Sequence, residues 1–270
     1  MIFLSSLLRS GSTLLTSLLN QRPDVYATPT SNLCDTMGGA AQVWVENPMT
    51  EASGAKHEDL IRVLRGMMNA RYDTDKLVFD KGRGWAEPRI LRTLLSVTDV
   101  KIVATVRPVA DCLASLAKIT KAEDMEVFCR GEMAEWFFNA YDAMKGGYKE
   151  FPDKFLFIEY DDLVFNTQTQ LDRISDFVGI DKFTHDLMNV PDSGEEDKIW
   201  RIPNLHKVRK KVSKHKYSAC EVLGNKLFQK FQGGEFWNDK PEPIQIKQPI
   251  HFQHDALMKG DFKKSKQLAY

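Results

Sequence analysis

The chain has 270 residues, 43% of them hydrophobic, enough to bury the core of one large α/β domain or two small ones. Its 37 basic and 37 acidic side chains cancel, so no global field steers it to nucleic acid or to an anionic membrane, and any anion site has to be built locally. No uninterrupted apolar run approaches the roughly 20 residues that span a bilayer. Cys34, Cys112, Cys129 and Cys220 are scattered without a C-x-x-C pair, which argues against a zinc ribbon and for reduced thiols in a cytoplasmic protein.

In chain order, Ile2 to Leu8 reads as a buried strand; Arg9 interrupts the apolar stretch and no small-residue cleavage pattern follows, so a signal peptide is not expected. Thr13 to Leu19 is apolar with a polar stripe, and His57 to Tyr72 repeats Leu60, Leu64, Met67 and Met68 at helical spacing. Leu77 to Asp80 is a second strand, Pro88 to Val97 a helix, Lys101 to Val106 a third strand, and Ala110 to Ile119 the helix after it. A longer helical stretch over Asp124 to Tyr148 is expected to break at Gly146-Gly147, and Phe155 to Tyr160 is a fourth strand. Asn166-Thr167 suits the cap of a helix over Gln170 to Val178, with Gly179 as its stop. Strands alternating with helices imply an α/β fold with a central, mostly parallel sheet. Residues 1–237 are expected to form the domain, and residues 238–270, with Pro241, Pro243 and Pro249, an arm without its own core.

Ser6-Leu7-Leu8-Arg9-Ser10-Gly11-Ser12-Thr13 leads from the first strand into the first helix. Backbone N–H groups at such a turn converge with the helix dipole on an anion, so the segment reads as a phosphate cradle. A polar capping turn is the ordinary alternative. The segment departs from a nucleoside-triphosphate P-loop: Ser6 stands in place of the first Gly, Ser12 replaces the Lys before Thr13, and the cation, Arg9, precedes Gly11 by two residues. Without the Lys that reaches the β and γ phosphates, triphosphate hydrolysis fits poorly. Leu8-Arg9-Ser10-Gly11-Ser12-Thr13-Leu14-Leu15, followed by Arg22-Pro23-Asp24-Val25, resembles the 5′-phosphosulfate loop of sulfotransferases, particularly the branch that includes the tyrosylprotein enzymes. That resemblance implies a P-loop-like three-layer α/β fold, 3′-phosphoadenosine 5′-phosphosulfate (PAPS) as donor, adenosine 3′,5′-bisphosphate (PAP) as product, and no metal. It implies donor contacts at Arg9, Ser10, Gly11, Ser12, Thr13 and Leu14.

Asp99 to Pro108 is a strand ending in Arg107, with Pro108 suited to the first helical position. Ser115, eight residues after Arg107, falls two turns into the following helix, where its hydroxyl can share an anion with the guanidinium. Pairing of Arg107 with Asp111 is the ordinary alternative. The arrangement resembles the family's 3′-phosphate signature. Phe155-Leu156-Phe157-Ile158-Glu159-Tyr160-Asp161-Asp162-Leu163 resembles the family's next strand and turn, which implies that Tyr160 faces the nucleotide; a half-buried Tyr satisfied locally fits equally. The basic segment Arg201 to Lys211, Arg209 included, falls where many sulfotransferases close a basic loop over the nucleotide, although charge runs usually meet water. Aromatic interleaving is sparse there, so a nucleic-acid patch is not expected.

Sulfuryl transfer needs an in-line acceptor oxygen and stabilised charge on the bridging oxygen. Arg9 is one candidate cation. Lys81 is the second, because it resembles the Lys that ends the corresponding strand of the tyrosylprotein branch, although Gly82-Arg83-Gly84-Trp85 departs from that branch. A general base should take the acceptor's proton. The similar branch has a Glu soon after its Pro-Asp-Val, whereas Tyr26 to Ser31 carries no carboxylate; Asp35 is the nearest replacement, with Glu46 and His57 further candidates. The expected function is a sulfotransferase for a hydroxyl acceptor (carbohydrate, small molecule or protein tyrosine), in a pocket formed by Thr28 to Glu51 and later loops. A P-loop kinase and a nucleotide-binding module without turnover are the alternatives.

Overall fold

Five segments rich in branched and aromatic residues pair into one all-parallel sheet: β1 (Ile2–Ser6), β2 (Val25–Ala27), β3 (Leu77–Lys81), β4 (Ile102–Val106) and β5 (Phe155–Glu159). The structure is a computed structural model that describes residues 1–192, 197, 202–213, 217–239 and 241. Strand order is β2-β3-β1-β4-β5, so the first strand lies at the centre with Phe3 opposite Ile102 and Ile2 opposite Phe79. Four of these strands are the expected ones; β2 is not, because three residues at a sheet edge with Tyr26 exposed leave no apolar run to read.

The α-helices among the described residues include α1 (Ser12–Leu19), α2 (Leu33–Glu46), α3 (Pro48–Ala52), α4 (His57–Ala70), α5 (Pro88–Val97), α6 (Val109–Thr120), α7 (Met125–Phe128), α8 (Glu132–Glu150), α9 (Tyr160–Phe165), α10 (Thr167–Val178), α11 (Ala219–Leu223) and α12 (Asn225–Lys230). Alternation along the strands divides the core. Ile2, Leu4, Val103 and Ile158 pack with Leu15 and Leu18 of α1 and Leu171 and Ile174 of α10 on one face. Phe3, Ile102 and Ala104 pack with Leu64 of α4, Leu91 of α5, Leu113 of α6 and Phe137 of α8 on the other. A sheet covered on both faces explains why β1 and β4 are continuously apolar or small rather than alternating. The result is the expected three-layer, P-loop-like α/β architecture.

The expected break at Gly146-Gly147 does not occur. α8 runs unbroken through both, and the interruption falls earlier, between α7 and α8 at Gly131. Gly147 is there for packing: a Cβ would lie 2.0 Å from the carbonyl oxygen of Ala86 and 2.8 Å from Leu91 Cδ1. Gly179 does end α10, in the left-handed conformation at φ 86°. Pro108 sits at the N-cap of α6, one position before its first helical residue.

Connectivity locates the site. α1 leaves β1 on one face and α6 leaves the adjacent β4 on the other, so a crevice opens between the carboxyl ends of β1 and β4, the topological switch point where ligands of open α/β sheets bind. Phe236 and Trp237 are buried against the domain. The arm expected over 238–270 lies, apart from residues 238, 239 and 241, outside the described residues.

Candidate active site

At that crevice is a cavity of about 390 Å³, walled by the loop after β1, the end of β3, the start of α2 and the segment 202–213. The loop is shaped by two left-handed residues, Arg9 at φ 65° and Gly11 at φ 94°. Such alternation turns successive N–H groups inward, and the first N–H groups of α1 have no intrahelical acceptor. Gly11 has a second reason to lack a side chain, since a Cβ would lie 2.8 Å from Tyr160 Cδ2. Arg9, Gly11, Ser12, Thr13 and Leu14 all line the cavity. Ser10 faces away: its buried hydroxyl donates to the carbonyls of Leu7 (2.6 Å) and Thr105 (2.8 Å), tying the loop to β4. The neighbouring Arg22-Pro23-Asp24 segment is also a brace, with Arg22 bonded to both carboxylate oxygens of Asp24 at 3.0 and 2.7 Å and to the Asp181 carbonyl at 2.6 Å.

Arg107 and Ser115 are not among the residues that line the cavity; both are buried, 4% and 3% exposed. Among the described residues Arg107 has only distant polar partners, the carbonyl of Arg9 and the carboxylate of Asp111, both at 3.5 Å, and its guanidinium lies 4.4 Å from the ring centre of Tyr160. The anticipated pairing with Asp111 is therefore weak. Arg9 Nε donates to Ser115 Oγ at 3.1 Å, and Arg9 Nη1 donates to the carbonyl of Leu205. Burial, with the charge of Arg107 adding to it, pulls the Arg9 guanidinium below its ordinary pKa. A buried guanidinium and a half-buried one close together favour an anion between them. Tyr160 lines the cavity, and burial raises its phenol above the ordinary range.

On the opposite wall, Lys81 lines the cavity at the end of β3 and its ammonium is buried, so it is not a surface lysine beside Asp80. Asp80 is fully buried and accepts from Trp85 Nε1 (2.8 Å), Ser31 Oγ (2.8 Å) and the Tyr72 hydroxyl. Burial first, and that carboxylate second, push the Tyr72 phenol up. This network joins β3 to Ser31 and to Trp85, so it sets both the end of the strand carrying Lys81 and the start of the cavity wall that leads into α2. Asp35 lines the cavity from the first turn of α2; it is exposed, and desolvation raises its carboxyl. Of the stretch from Thr28 to Glu51, only Thr30, Ser31, Asn32, Cys34 and Asp35 line the cavity; Glu46 and the later His57 do not.

The basic segment is not simply a solvated face. Val208 is buried, the N–H of Val190 donates to the carbonyl of Lys210 at 2.8 Å, and that of Val212 donates to the carbonyl of Leu187 at 3.2 Å. This strap turns Lys207, Arg209 and Lys211 onto the cavity. Arg209 Nη1 donates to Ser213 Oγ at 3.1 Å, and its charge reaches Tyr160. Arg201 and residues 214–216 lie outside the described residues. The strap also brings in His206, which the sequence reading passed over as one member of a charge run. Its backbone N–H (2.8 Å) and its Nδ1 (2.9 Å) both meet Asp197 Oδ1. Burial, then the charge of Lys81, lower its pKa from 6.5 to about 4. No signal at fixed spacing marked this pair.

Among the described residues no group of three or more His, Cys, Asp or Glu side chains is placed to hold a metal ion, and no helix is long and apolar enough to cross a membrane. Cytosolic sulfotransferase 10 of Arabidopsis thaliana is 29% identical over 184 residues, covering 60% of this chain and 54% of its own, so the chain spans about half the length of that curated relative. Among solved structures, the sulfotransferase domain of the Synechococcus PCC 7002 olefin synthase is similar at 20% identity with a TM-score of 0.47, over 89% of this chain and 95% of that one. Sulfotransferase STF9 from Mycobacterium avium is similar at 13% identity with a TM-score of 0.49, over 90% and 77%. The family model of the sulfotransferase domain matches residues 1–242, and the chain belongs to that family.

Proposed function

We propose that the chain transfers the sulfuryl group of PAPS to a hydroxyl acceptor, without metal, within a catalytic unit spanning residues 1–237. The observation that carries this reading is Arg107: a guanidinium 4% exposed, with polar partners no nearer than 3.5 Å, one helical segment from Ser115 and stacked on Tyr160. A buried cation so weakly paired calls for an anion, and the 3′-phosphate of PAPS supplies one. The 5′ end of the donor is assigned to the N–H groups of Gly11, Ser12, Thr13 and Leu14 at the start of α1. A 3′-phosphate reaching Ser115 displaces Arg9 Nε from it, which releases Arg9 toward the phosphosulfate. The contribution of Ser10 is confined to shaping the loop, because its hydroxyl is committed to the Leu7 and Thr105 carbonyls. Arg209 is assigned to the nucleotide side, beside Tyr160.

Bound PAPS supplies an activated sulfuryl group. Lys81 meets the charge that develops on the bridging oxygen, and Asp35 stands at the acceptor side. Carbohydrate, small-molecule and tyrosine hydroxyls all fit this chemistry. The closer affinity to the tyrosylprotein branch is supported by Leu8 to Leu15, by Arg22 to Val25, which is a structural brace, and by Lys81 at the end of its strand. A cytoplasmic location accords with the cytosolic relative and the scattered thiols. The test is transfer of label from PAPS to a panel of hydroxyl acceptors, with and without chelator. Metal-independent transfer is expected. Loss with EDTA that magnesium restores would point to a phosphotransferase, and PAP binding without any turnover to a nucleotide-binding module.

A further inference from the structure

Transfer to a hydroxyl requires a group that accepts its proton, and the stretch Tyr26 to Ser31 offers no carboxylate. Resting on the sulfotransferase reading, we propose that His206, oriented by Asp197, is the general base that takes the acceptor's proton. His206 lines the same cavity as Lys81, Arg9 and Ser31. One carboxylate oxygen of Asp197 accepts from both its backbone N–H, at 2.8 Å, and its Nδ1, at 2.9 Å. Those two contacts fix the ring and hold the proton on Nδ1, so Nε2 is the basic nitrogen. The next peptide back, at Leu205, is bound by Arg9, which ties the strap carrying His206 to the donor loop.

Among the described residues the charges acting on the imidazole include Lys81 on β3, Arg9 on the loop after β1, and Asp197. Burial and Lys81 keep the ring neutral at neutral pH, the state a base needs, with a pKa of about 4. Donor charge arriving beside Lys81 offsets that cation and raises the basicity of His206 toward the working pH. In the step itself the acceptor O–H gives its proton to Nε2 as its oxygen forms the new S–O bond. The bond from sulfur to the bridging oxygen breaks with its electron pair passing to the 5′-phosphate of PAP, beside Lys81. The imidazolium then returns its proton to water. Asp197 stabilises that imidazolium and is a positioning residue.

The experiment is single-turnover transfer from labelled PAPS to 4-nitrophenol, phenol and water, for the wild type, His206→Gln, Asp197→Asn and Asp35→Asn, beside PAP affinity by calorimetry. His206→Gln is expected to slow transfer to phenol about 10²-fold or more, and to slow transfer to the more acidic 4-nitrophenol much less, with PAP affinity unchanged. Asp197→Asn is expected to lower the rate and move the acid limb of the rate profile to lower pH, since the imidazolium loses its counter-charge; a merely structural role would leave that limb in place. Should His206→Gln lose PAP binding through misfolding, the shift of the acid limb in Asp197→Asn decides. Equal losses for both phenols, no loss at all, or an acidity-dependent loss in Asp35→Asn alone would overturn the assignment. So would a wild type that binds PAP yet consumes no PAPS with any of the three acceptors. A wild type that does not bind PAP refutes the donor reading instead.

Discussion

The two walls of the cavity are built in different ways. The wall proposed to hold the donor hangs from β1 and β4, strands buried throughout, and its loop is fixed by Ser10, whose hydroxyl bonds back to Leu7 and Thr105. The wall proposed for the acceptor comes from the start of α2, the end of β3 and the strap over 202–213, held through side chains such as Asp80, Ser31 and Asp197 and by the backbone bonds of Lys210 and Val212. Backbone hydrogen bonding at a sheet demands particular residues at particular spacings. A wall made of loops can reach the same geometry through many sequences.

The largest expected effect of breaking the donor wall is Gly11→Ala. Its φ of 94° costs an L-residue about 1–2 kcal/mol, and its Cβ would press on Tyr160 at 2.8 Å, adding about 1–3 kcal/mol of overpacking. PAP affinity by calorimetry should fall accordingly, and undiminished affinity would mean that the loop is not the binding wall. Lys81→Ala sharpens the contrast. Because the charge it meets develops only as the donor departs, kcat should fall about 10²–10³-fold, with PAP affinity little changed. Retention of full kcat would return the leaving-group role to Arg9. Arg107→Ala should do the reverse: PAP affinity falls by about 1.5–3 kcal/mol, the range for hydrogen bonds to charged groups, and the donor KM rises more than kcat drops.

A smaller effect concerns pH. The pKa of His206 is lowered on folding, from 6.5 to about 4, by burial first and Lys81 second. Below the unfolded value the unfolded chain takes up a proton that the folded chain refuses. Stability from this group is therefore complete above pH 6.5 and is lost as pH falls toward 4. His185, buried with neither ring nitrogen hydrogen-bonded among the described residues and its pKa likewise lowered, contributes in the same direction. Melting temperatures between neutral and mildly acid pH should drop less for His206→Gln than for the wild type; parallel curves would contradict the placement of His206. The smallest effect belongs to the exposed strap cations. Lys207→Gln and Lys211→Gln should each weaken PAP by about 0.2–1 kcal/mol, and the difference should vanish in high salt.

The loop after β1 and the end of β4 were legible in the sequence as a turn and a strand end, and the donor role proposed for them rests on motif spacing. Gly11 before a helix meets a positive φ that backbone geometry imposes, and the short apolar runs gave four of the five strands. Ser10 looked like a ligand because it sits inside the motif, yet its hydroxyl works within the protein. Gly146-Gly147 looked like a break because glycine weakens helices, whereas close approach of Ala86 demands a glycine at 147. The edge strand β2 was too short to show a period. His206 and Asp197 are nine residues apart in a segment without periodicity, so the fold is needed to pair them and to set His206 on the cavity that Lys81 also lines.

The central claim, that Arg107 and Ser115 read a 3′-phosphate, is tested most directly by calorimetry of the wild-type chain with PAP and with AMP, which differ only in that group. PAP should bind more tightly by about 1.5–3 kcal/mol, and Arg107→Ala should erase the difference. Equal affinity for the two nucleotides would contradict the account.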